Sequence, residues 1–316
     1  MLIVLAGGVG AARFLRGLVR VVAPERIAAA VNVGDDIVLH GLHIAPDLDS
    51  ITYHLAGVVH PEQQWGRDDE RFTVREELER LGRTPWFTLG DRDLALHLHR
   101  TDRLRESVPL SAVTAEVVRA HGLDLRLLPV TDDPLTTRIH TVDGRDLHFQ
   151  EWWVRERAVA DVARVEFRGA DAARPAPGVV EAIAGAEAVL VAPSNPVVSI
   201  GPVRAVPGVA AALAATPAPV VGVSPVVGGR VVRGMADRLL PAVGARTTAD
   251  GVAAWYGARR DGGLLDGWVL DAADADAAPA VEALGIRTAV TATLMDDPAV
   301  AADLARTCLA LAGVAA

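Results

Sequence analysis

Short aliphatic runs that end in glycine-rich or polar loops are the feature that most restricts the fold of this chain. Leu2–Ala6 runs into the loop Gly7-Gly8-Val9-Gly10, and residues 12–22 then carry apolar side chains at helical spacing. Further aliphatic runs, separated by stretches of helical periodicity, occupy residues 27–33, 188–192, 220–223 and 268–270. Buried strands that alternate with helices predict an α/β fold, in which a mostly parallel sheet is covered by helices on both faces.

The middle of the chain departs from this alternation. From about residue 60 to residue 125, charged and apolar residues alternate with a helical period, which predicts a helical insertion. Residues 126–168 carry short strand-like runs instead, and Asp143-Gly144 supplies a hairpin turn. Because a chain of 316 residues with 51% hydrophobic content can bury a large core, we predict one large α/β domain over residues 1–316 that carries both additions.

Composition argues against several classes of protein. The formal net charge is −9, and Lys or Arg never runs beyond a pair, so we expect no nucleic-acid partner. The single cysteine, Cys308, excludes an intrachain disulfide and a cysteine metal cluster, which fits a reducing cytoplasm. No apolar stretch reaches the roughly 18 to 20 residues that span a bilayer, and the opening run is too short for a secretory signal. We therefore expect a cytoplasmic protein that acts on small molecules and does not contact membranes.

Four aspartates lie close together in the sequence between residues 32 and 53. Asp35, Asp36, Asp47 and Asp49 fall in two short polar loops between apolar segments. Carboxylates this close raise one another's pKa and destabilise the fold unless a cation or fixed donors offset the repulsion. The pattern predicts a site for a divalent cation. The competing interpretation is that these aspartates are helix N-caps and turn residues.

The loop after the first strand has the composition of a phosphate site. A glycine turn that leads into a helix brings backbone N–H groups and the positive end of the helix dipole to one point, which makes Gly8 and Gly10 candidate phosphate contacts. Arg13 stands where the dinucleotide fingerprint has its third glycine, and the lysine and hydroxyl of a P-loop are missing, so we expect no standard NAD site. Arg13 is either an anion contact or a solvated helix residue.

Two later strand ends carry similar loops. Within residues 193–202, Ser194, Asn195 and Ser199 either hydrogen-bond a base or phosphate, or cap the next helix. Residues 224–230 repeat this composition after the run at 220–223. Ligands bind at the carboxyl edge of a parallel sheet, so three such loops predict a nucleotide site.

The segment of residues 88–93 precedes a predicted helix. Asp91 suits the N-cap of that helix, which would place Arg92 in its first turn. His97 and His99 would lie about 200° apart around the helix axis, so they cannot bind one metal ion together. We interpret both histidines as ordinary helix residues.

Taken in order, these segments resemble the 2-phospho-L-lactate transferase family. The matching motifs span residues 7–13, 32–36, 46–50, 89–93, 149–153, 193–196, 199–202 and 224–225. The Gln-Glu-Trp-Trp version at 150–153 and the Arg-Gly-Met-Ala-Asp version at 233–237 resemble the actinobacterial branch, which uses phosphoenolpyruvate. The resemblance implies a Rossmann-like core with added elements and a homodimer.

The resemblance also implies an activity. Members pass a phosphoenolpyruvyl or 2-phospholactyl group from a guanosine diphosphate-activated donor to the side-chain hydroxyl of 7,8-didemethyl-8-hydroxy-5-deazariboflavin. This Mg²⁺-dependent phosphotransfer releases GMP and belongs to coenzyme F-420 biosynthesis; with the phosphoenolpyruvyl donor the product is dehydro-coenzyme F-420-0. By position, Asp49 and Thr88 would bind the deazaflavin. Gly8, Gly10, Ser194, Asn195 and Ser199 would lie against the guanosine diphosphate part.

The clustered carboxylates and the resemblance together indicate roles for these residues. Breaking a diphosphate needs positioning and neutralised charge, so Mg²⁺ should supply much of the rate. Asp35 and Asp49 are the preferred metal ligands, and Asp36 or Asp47 would support them or bind the ion directly. The candidate catalytic residues are Asp49, Asp35, Asp91 and Arg92.

Two other classes of function remain open at this point. An NAD(P)-dependent oxidoreductase would explain the first strand, loop and helix, but it predicts a third glycine and leaves the four aspartates without a role. A non-catalytic regulator would bind GDP without consuming an activated donor.

Overall fold

The computed structural model describes residues 1–315, and these residues form strands and helices in regular alternation. We number the fourteen strands of the described chain in order: β1 (Leu2–Ala6), β2 (Ile27–Val31), β3 (Ile37–Leu39), β4 (Leu42–Ile44), β5 (Arg126–Pro129), β6 (Thr136–Thr141), β7 (Asp146–His148), β8 (Val162–Arg168), β9 (Ala188–Val191), β10 (Val220–Val223), β11 (Val226–Val227), β12 (Arg230–Val231), β13 (Gly267–Asp271) and β14 (Arg287–Thr291).

Helices occupy most of the intervening segments. Within residues 1–315 the α-helices are α1 (Gly8–Leu18), α2 (Pro46–Leu55), α3 (Thr73–Arg80), α4 (Asp91–Arg105), α5 (Leu110–Ala120), α6 (Val179–Ala184), α7 (Gly201–Ala205), α8 (Pro207–Ala215), α9 (Ala236–Leu239), α10 (Ala249–Tyr256), α11 (Ala278–Ala283) and α12 (Pro298–Ala312). Two further turns, Glu151–Arg155 and Pro196–Ile200, are π-helical.

Seven strands form one parallel sheet in the order β14-β13-β10-β9-β1-β2-β5. The chain builds outward from β1 through β2 and β5, then returns to the other side of β1 and builds outward through β9, β10, β13 and β14. This reversal between β1 and β9 is the topological switch point of a doubly wound sheet, where the carboxyl ends of the two strands leave a crevice. The predicted α/β, Rossmann-like class with a mostly parallel sheet is confirmed.

The central strands are apolar because both of their faces are covered. Every residue of β1, β2, β9 and β10 is buried, as the continuous aliphatic runs predict. On one face α1 packs against α12 and α2. The site at the switch point therefore rests on rigid, fully buried strands.

The boundary between the main sheet and the small β segment differs from the prediction. β5, which we grouped with the β segment at residues 126–168, is the edge strand of the main sheet and pairs in parallel with β2. The separate antiparallel sheet, in the order β7-β6-β8, begins at Thr136. A short apolar run shows that a strand forms, but its periodicity carries no information on the sheet it joins.

Residues 37–55 also differ from the two polar loops that we expected. β3 and β4 form a hairpin, and α2 begins at Pro46. Asp47 and Asp49 therefore lie in the first turn of a helix, where carboxylates are stabilised by the helix dipole and where proline is favoured because its missing N–H has no intrahelical partner.

Within residues 1–315, no single helix is long and apolar enough to cross a bilayer. One consecutive pair, residues 196–205 and 207–215, meets the length and composition criteria together, but it bends by 89° at the break.

Candidate active site

A cleft opens at the carboxyl edge of the sheet, above the switch point between β1 and β9. The residues that line it come chiefly from the ends of four adjacent strands, β10, β9, β1 and β2, and they include Gly7, Gly8, Gly10, Asp35, Pro193, Ser194, Asn195, Ser199 and Ser224. The structure thus brings together the strand-end residues that the sequence suggested for a phosphate or nucleotide. The guanosine diphosphate role of these residues stays a prediction.

The glycine loop is held tightly against the loop after β9. Gly8 has a φ of +65°, a backbone conformation that favours glycine. A Cβ on Gly10 would lie 2.3 Å from the carbonyl oxygen of Pro193, so only glycine fits where α1 passes that loop. The hydroxyl of Ser194 donates a hydrogen bond of 2.7 Å to the carbonyl oxygen of Gly7. The first amides of α1 are consequently fixed in place at the floor of the cleft.

Asn195 fulfils the capping alternative and also lines the cleft. Its Oδ1 accepts hydrogen bonds from the backbone N–H groups of Val197 and Val198, at 3.0 and 3.3 Å, at the start of the π-helical turn. Ser199, within that turn, is buried and lines the cleft as well. π-Helical turns often mark functional sites, because the extra residue turns side chains away from the regular helical positions.

Asp35 and Asp47 meet at the cleft beside the glycine loop. Both carboxylates are buried. Asn32, which directly follows β2, donates from Nδ2 to Asp47 Oδ2 at 2.9 Å, whereas Asp35 Oδ1 is buried without a hydrogen-bond partner. Burial, with the Asp47 charge adding to it, raises the pKa of Asp35 well above its usual range, and burial likewise raises the pKa of Asp47. This pair of carboxylates lacks compensating positive charge.

Asp36 points toward the β3–β4 hairpin. Its Oδ2 lies 2.9 Å from Nε2 of His43 on β4, and its Oδ1 is buried without a partner. Burial raises the pKa of Asp36, although the hydrogen bond from His43 opposes the shift. Asp36 thus follows Asp35 in the sequence, but its carboxylate contacts His43 and is not among the described groups that line the cleft.

Asp49 lies in different surroundings from Asp35 and Asp47. Its carboxylate is paired with both terminal nitrogens of Arg100 on α4, and Nδ1 of His97 lies 3.7 Å from Asp49 Oδ2. In the part of the chain that the structure describes, Asp49 is not among the residues that line the cleft. The charge of Asp49 is therefore already balanced within the protein. Its predicted roles as a metal ligand and catalytic residue stay predictions.

His97 lies on α4, as predicted, and faces the interior of the protein. Its ring is almost fully buried beside Arg100, with Nδ1 3.3 Å from Arg100 Nη1, and burial lowers the pKa of His97 to about 4. His99 lies on the partly exposed side of α4 and contacts Glu116 at 3.2 Å, so the two histidines do face apart.

A second pocket lies beside the start of α4 and holds Thr88. It is lined by two aromatic side chains and a mostly polar set: His60, Gln63, Trp65, Gly66, Arg67, Asp68, Asp69, Glu70, Phe72, Thr88, Gly90 and Asp93. Behind it, the hydroxyl of Tyr53 donates to Asp93 Oδ1 at 2.8 Å, and burial raises the pKa of Asp93 to about 6. The Arg67 guanidinium lies 5.6 Å from the centre of the Tyr53 ring. An aromatic-walled pocket of this kind suits a flat ring system.

Asp91 begins α4, and its carboxylate caps the neighbouring helix instead of α4. Asp91 accepts hydrogen bonds from the backbone N–H groups of Thr73 and Val74, at 3.3 and 3.2 Å, at the start of α3. The N-cap position of α4 itself belongs to Gly90. The prediction that Asp91 is the N-cap of α4 is therefore wrong, because its carboxylate binds the first amides of α3.

Arg92 also has local partners outside the cleft. Its guanidinium group contacts Asp69 at 2.9 Å with both side chains largely exposed, and its backbone N–H donates to Glu70 at 2.9 Å. Glu70 and Asp91 thus tie the starts of α3 and α4 together. The structure does not bring Asp91 or Arg92 to Asp35, and their catalytic role stays a prediction.

The Gln-Glu-Trp-Trp segment builds one wall of the cleft. Trp152 is fully buried, and its Nε1 donates to the carbonyl oxygen of Ala160 at 2.9 Å. Trp153, the next residue of the same π-helical turn, instead lines the cleft together with Phe149, and the centres of these two rings are 5.4 Å apart. This wall offers an aromatic surface to a ligand.

Asn32 and Arg100 belong to the site, although neither was predicted from the sequence to have a role there. Asn32 is fully buried at the end of β2, and its position at a strand end next to β1 was a usable signal. Arg100 lies three residues after His97 on the same face of α4, but the sequence does not tell that this face turns toward Asp49.

Among residues 1–315, no group of three or more His, Cys, Asp or Glu side chains is arranged to hold a metal ion. Asp35 and Asp47 are the two carboxylates that share the cleft. Mg²⁺ is commonly bound by one or two carboxylates together with substrate phosphates and water, so two carboxylates are a sufficient protein contribution.

The fold and the cleft define a doubly wound α/β protein. A glycine-rich loop suited to phosphate and two buried carboxylates lie at its switch point. The family model described as 2-phospho-L-lactate transferase CofD matches residues 2–294. The chain belongs to this family and is a transferase of coenzyme F-420 biosynthesis, as predicted.

Relatives of similar length support this assignment. The chain is 50% identical to a phosphoenolpyruvate transferase of Kitasatospora aureofaciens, over 98% of this chain and 97% of the relative. It is 43% identical to a phosphoenolpyruvate transferase of Mycolicibacterium smegmatis, over 98% of each chain. A solved structure of a UPF0052 family member from Bacillus halodurans shares the fold, with a TM-score of 0.61 at 17% identity over 96% of this chain and 97% of that one. None of these matches supports an oxidoreductase or a non-catalytic regulator.

Proposed function

We propose that this chain transfers the phosphoenolpyruvyl group of a guanosine diphosphate-activated donor to 7,8-didemethyl-8-hydroxy-5-deazariboflavin. The reaction joins the side-chain hydroxyl of the acceptor to the phosphoryl group, releases GMP and gives dehydro-coenzyme F-420-0. The observation that carries the proposal is the meeting of the Gly8–Gly10 amides with Asp35 and Asp47 in one cleft. The names of the relatives favour phosphoenolpyruvate over 2-phospholactate as the transferred group.

The guanosine diphosphate part fits the glycine side of the cleft. The first amides of α1 are fixed by the contact between Gly10 and Pro193, and the positive end of a helix dipole favours a diphosphate there. Asn195 and Ser199 border the same space and can hydrogen-bond the nucleoside, while Phe149 and Trp153 supply an aromatic wall.

Mg²⁺ fits the carboxylate side of the cleft. The buried Oδ1 of Asp35 makes no hydrogen bond, and burial is the main cause that raises the pKa of Asp35 and of Asp47, with a neighbouring carboxylate adding to each shift. Asp35 and Asp47 would therefore hold the ion; Asp49 would first have to leave Arg100, and Asp36 would have to leave His43. When bound, the ion neutralises charge on the diphosphate as the GMP leaving group forms.

The deazaflavin fits the second pocket. Trp65 and Phe72 offer faces to its ring system, and Thr88 supplies a hydroxyl at the pocket wall. The two pockets adjoin, because Arg233 of the cleft donates a hydrogen bond of 2.8 Å to the carbonyl oxygen of Gln63, which lines the second pocket. A hydroxyl carried from the second pocket toward the cleft would meet the donor there, with the cleft carboxylates available to accept its proton.

The test is mass spectrometry of the products formed from the deazaflavin, Mg²⁺ and each guanylylated donor in turn. We expect dehydro-coenzyme F-420-0 and GMP with the phosphoenolpyruvyl donor. Folded protein that binds GDP but consumes neither donor would contradict the proposal and indicate a regulator. Preferred use of the 2-phospholactyl donor would contradict the choice of transferred group alone.

We further propose that the protein is a homodimer in the cytoplasm. The resemblance of the motifs to a family that tends to be dimeric supports the homodimer, and the single buried Cys308 is compatible with a reducing compartment. Light scattering at several protein concentrations would show a mass near twice 33.1 kDa, and a constant monomer mass would contradict it.

A further inference from the structure

A group of cationic side chains lies at the end of the cleft, next to the glycine loop. Arg13 of α1 and Arg233, between β12 and α9, both line the cleft. Arg16 and His54 lie close behind them: burial lowers the pKa of His54 to about 4, and the positive charges of Arg16, Arg13 and Arg233 act in the same direction. We call Arg13, Arg16 and Arg233 the arginine cluster. Arg13 is close enough to each of the other two for their positive charges to repel.

This positive charge is poorly balanced by the protein. Arg13 Nη1 contacts Asp296 Oδ1 at 3.0 Å, but the Asp296 side chain is 84% exposed, so water screens the pair. Arg233 is exposed and donates to the neutral carbonyl oxygen of Gln63, and the charge of Asp297 partly offsets that of Arg16. The Nε atoms of Arg13 and Arg16 are buried without a hydrogen-bond partner. A buried donor without a partner is destabilising, and an anionic ligand in the cleft can accept a hydrogen bond from the Nε of Arg13, which lines it.

Arg13 and the glycine loop line the same cleft but come from successive turns of α1. The backbone of Arg13 lies five residues after Gly8, roughly 7 to 8 Å along the helix axis at about 1.5 Å per residue. The amides that suit a diphosphate belong to the first turn of α1, so the arginines offer a place for a second anionic group. Arg233, on a separate loop, closes this place from the side of the second pocket.

The donor of the proposed reaction carries such a group, and the following inference rests on that proposed function. Its three-carbon part bears a carboxylate on the side of the diphosphate away from guanosine. We propose that Arg13 and Arg233 bind this carboxylate and so select a donor whose transferred group is acidic. Planar guanidinium groups match the geometry of a carboxylate and can hold it through two hydrogen bonds.

The same contact would orient the donor toward its acceptor. Arg233 holds the Gln63 carbonyl group that belongs to the wall of the second pocket, so a carboxylate on Arg233 lies where the two pockets adjoin. The carboxylate itself takes no part in bond making or breaking. Arg13 and Arg233 are thus specificity-determining residues that touch the transferred group.

The test compares ligands that differ in their anionic groups. Binding of GMP, GDP and the phosphoenolpyruvyl donor is measured by calorimetry with Mg²⁺ and without the acceptor, for the wild type, Arg13→Gln and Arg233→Gln. We expect each variant to weaken donor binding by about tenfold to a hundredfold and to change GDP binding much less. Arg13→Lys and Arg233→Lys should recover part of the loss, since they keep the charge but not the planar fork.

Two controls keep the outcomes distinct. Arg306→Gln and Arg238→Gln, whose pairs with Asp303 and Asp161 are exposed, should leave donor binding unchanged. An equal loss of donor and GDP binding would overturn the inference and assign the arginines to the terminal phosphate of GDP. No loss in folded variants would overturn it outright. A wild type that binds GDP but not the donor would instead count against the proposed function.

Discussion

The carboxylate of Asp49 and the guanidinium group of Arg100 form a buried pair, with Asp49 Oδ2 3.2 Å from Arg100 Nη1 and the second oxygen also in contact. The two side chains are only 8% and 3% exposed. Removing either partner would leave the other charge buried without compensation. Because Asp49 lies on α2 and Arg100 on α4, the pair also connects a helix that borders the cleft to a helix that borders the second pocket.

Arg100→Gln should destabilise the protein strongly. Loss of one partner from a buried ion pair costs about 3–5 kcal/mol of unfolding free energy, which urea denaturation would measure. Arg92→Gln is the matched control, because it breaks the exposed pair with Asp69 and should cost less than about 1 kcal/mol. Similar losses in the two variants would contradict the importance of burial for the Asp49–Arg100 pair.

Asp49→Asn should lower both stability and turnover. The catalytic role that the sequence predicts for Asp49 requires this variant to lose activity, and the pair with Arg100 adds a stability cost that the sequence does not reveal. Unfolding free energy should fall by about 3 kcal/mol or more, and turnover should be largely abolished in the fraction that remains folded by circular dichroism. Near-normal turnover at saturating Mg²⁺ would contradict any catalytic role for Asp49.

Gly10→Ala should disturb nucleotide binding. The added Cβ would lie 2.3 Å from the Pro193 carbonyl oxygen, so α1 or the loop after β9 must move, at a cost of about 1–3 kcal/mol. GDP affinity measured by calorimetry should fall, because the first amides of α1 shift with the helix. Gly185→Ala, where the nearest atom lies at 3.3 Å from the added Cβ, should leave GDP affinity unchanged. Equal affinity in Gly10→Ala would contradict the role of this contact.

Asp35→Asn should weaken the response to Mg²⁺ without harming the metal-free protein. In the absence of the ion the substitution removes a buried carboxylate whose pKa is raised by burial and by Asp47, so the melting temperature should stay the same or rise. Stabilisation of the GDP complex by Mg²⁺, followed by thermal melting, should largely disappear. Asp171→Asn, on the exposed surface, is the control. Undiminished stabilisation in Asp35→Asn would rule out Asp35 as a ligand.

Most of the main sheet could be predicted from the sequence because its central strands are continuous apolar runs that end in glycine or polar loops. Strand β14 was not predicted, since it lies at the edge, is partly exposed and has no such run. For the site, Gly8, Gly10 and Asp35 follow strand ends and could be found from that position alone. Arg100 and Arg233 could not, because their importance depends on which distant side chains or backbone groups they contact.

His54 should make the protein sensitive to acid, because burial lowers its pKa and the charges of Arg16, Arg13 and Arg233 add to that shift. Its Nε2 lies 3.1 Å from the Gln64 carbonyl oxygen. Because its pKa is lowered to about 4 from an ordinary value of 6.5, the folded protein binds fewer protons than the unfolded chain between these values.

The contribution of His54 to stability is therefore fully present above pH 6.5 and is lost as the pH falls toward 4. His54→Gln should flatten the decline in unfolding free energy over this range, measured by urea denaturation at several pH values. Arg16→Gln should raise the pKa of His54 toward its ordinary value in an NMR titration, because one repelling charge is gone. An unchanged decline in His54→Gln, together with an unmoved His54 titration in Arg16→Gln, would contradict the electrostatic contact between this histidine and the arginine cluster.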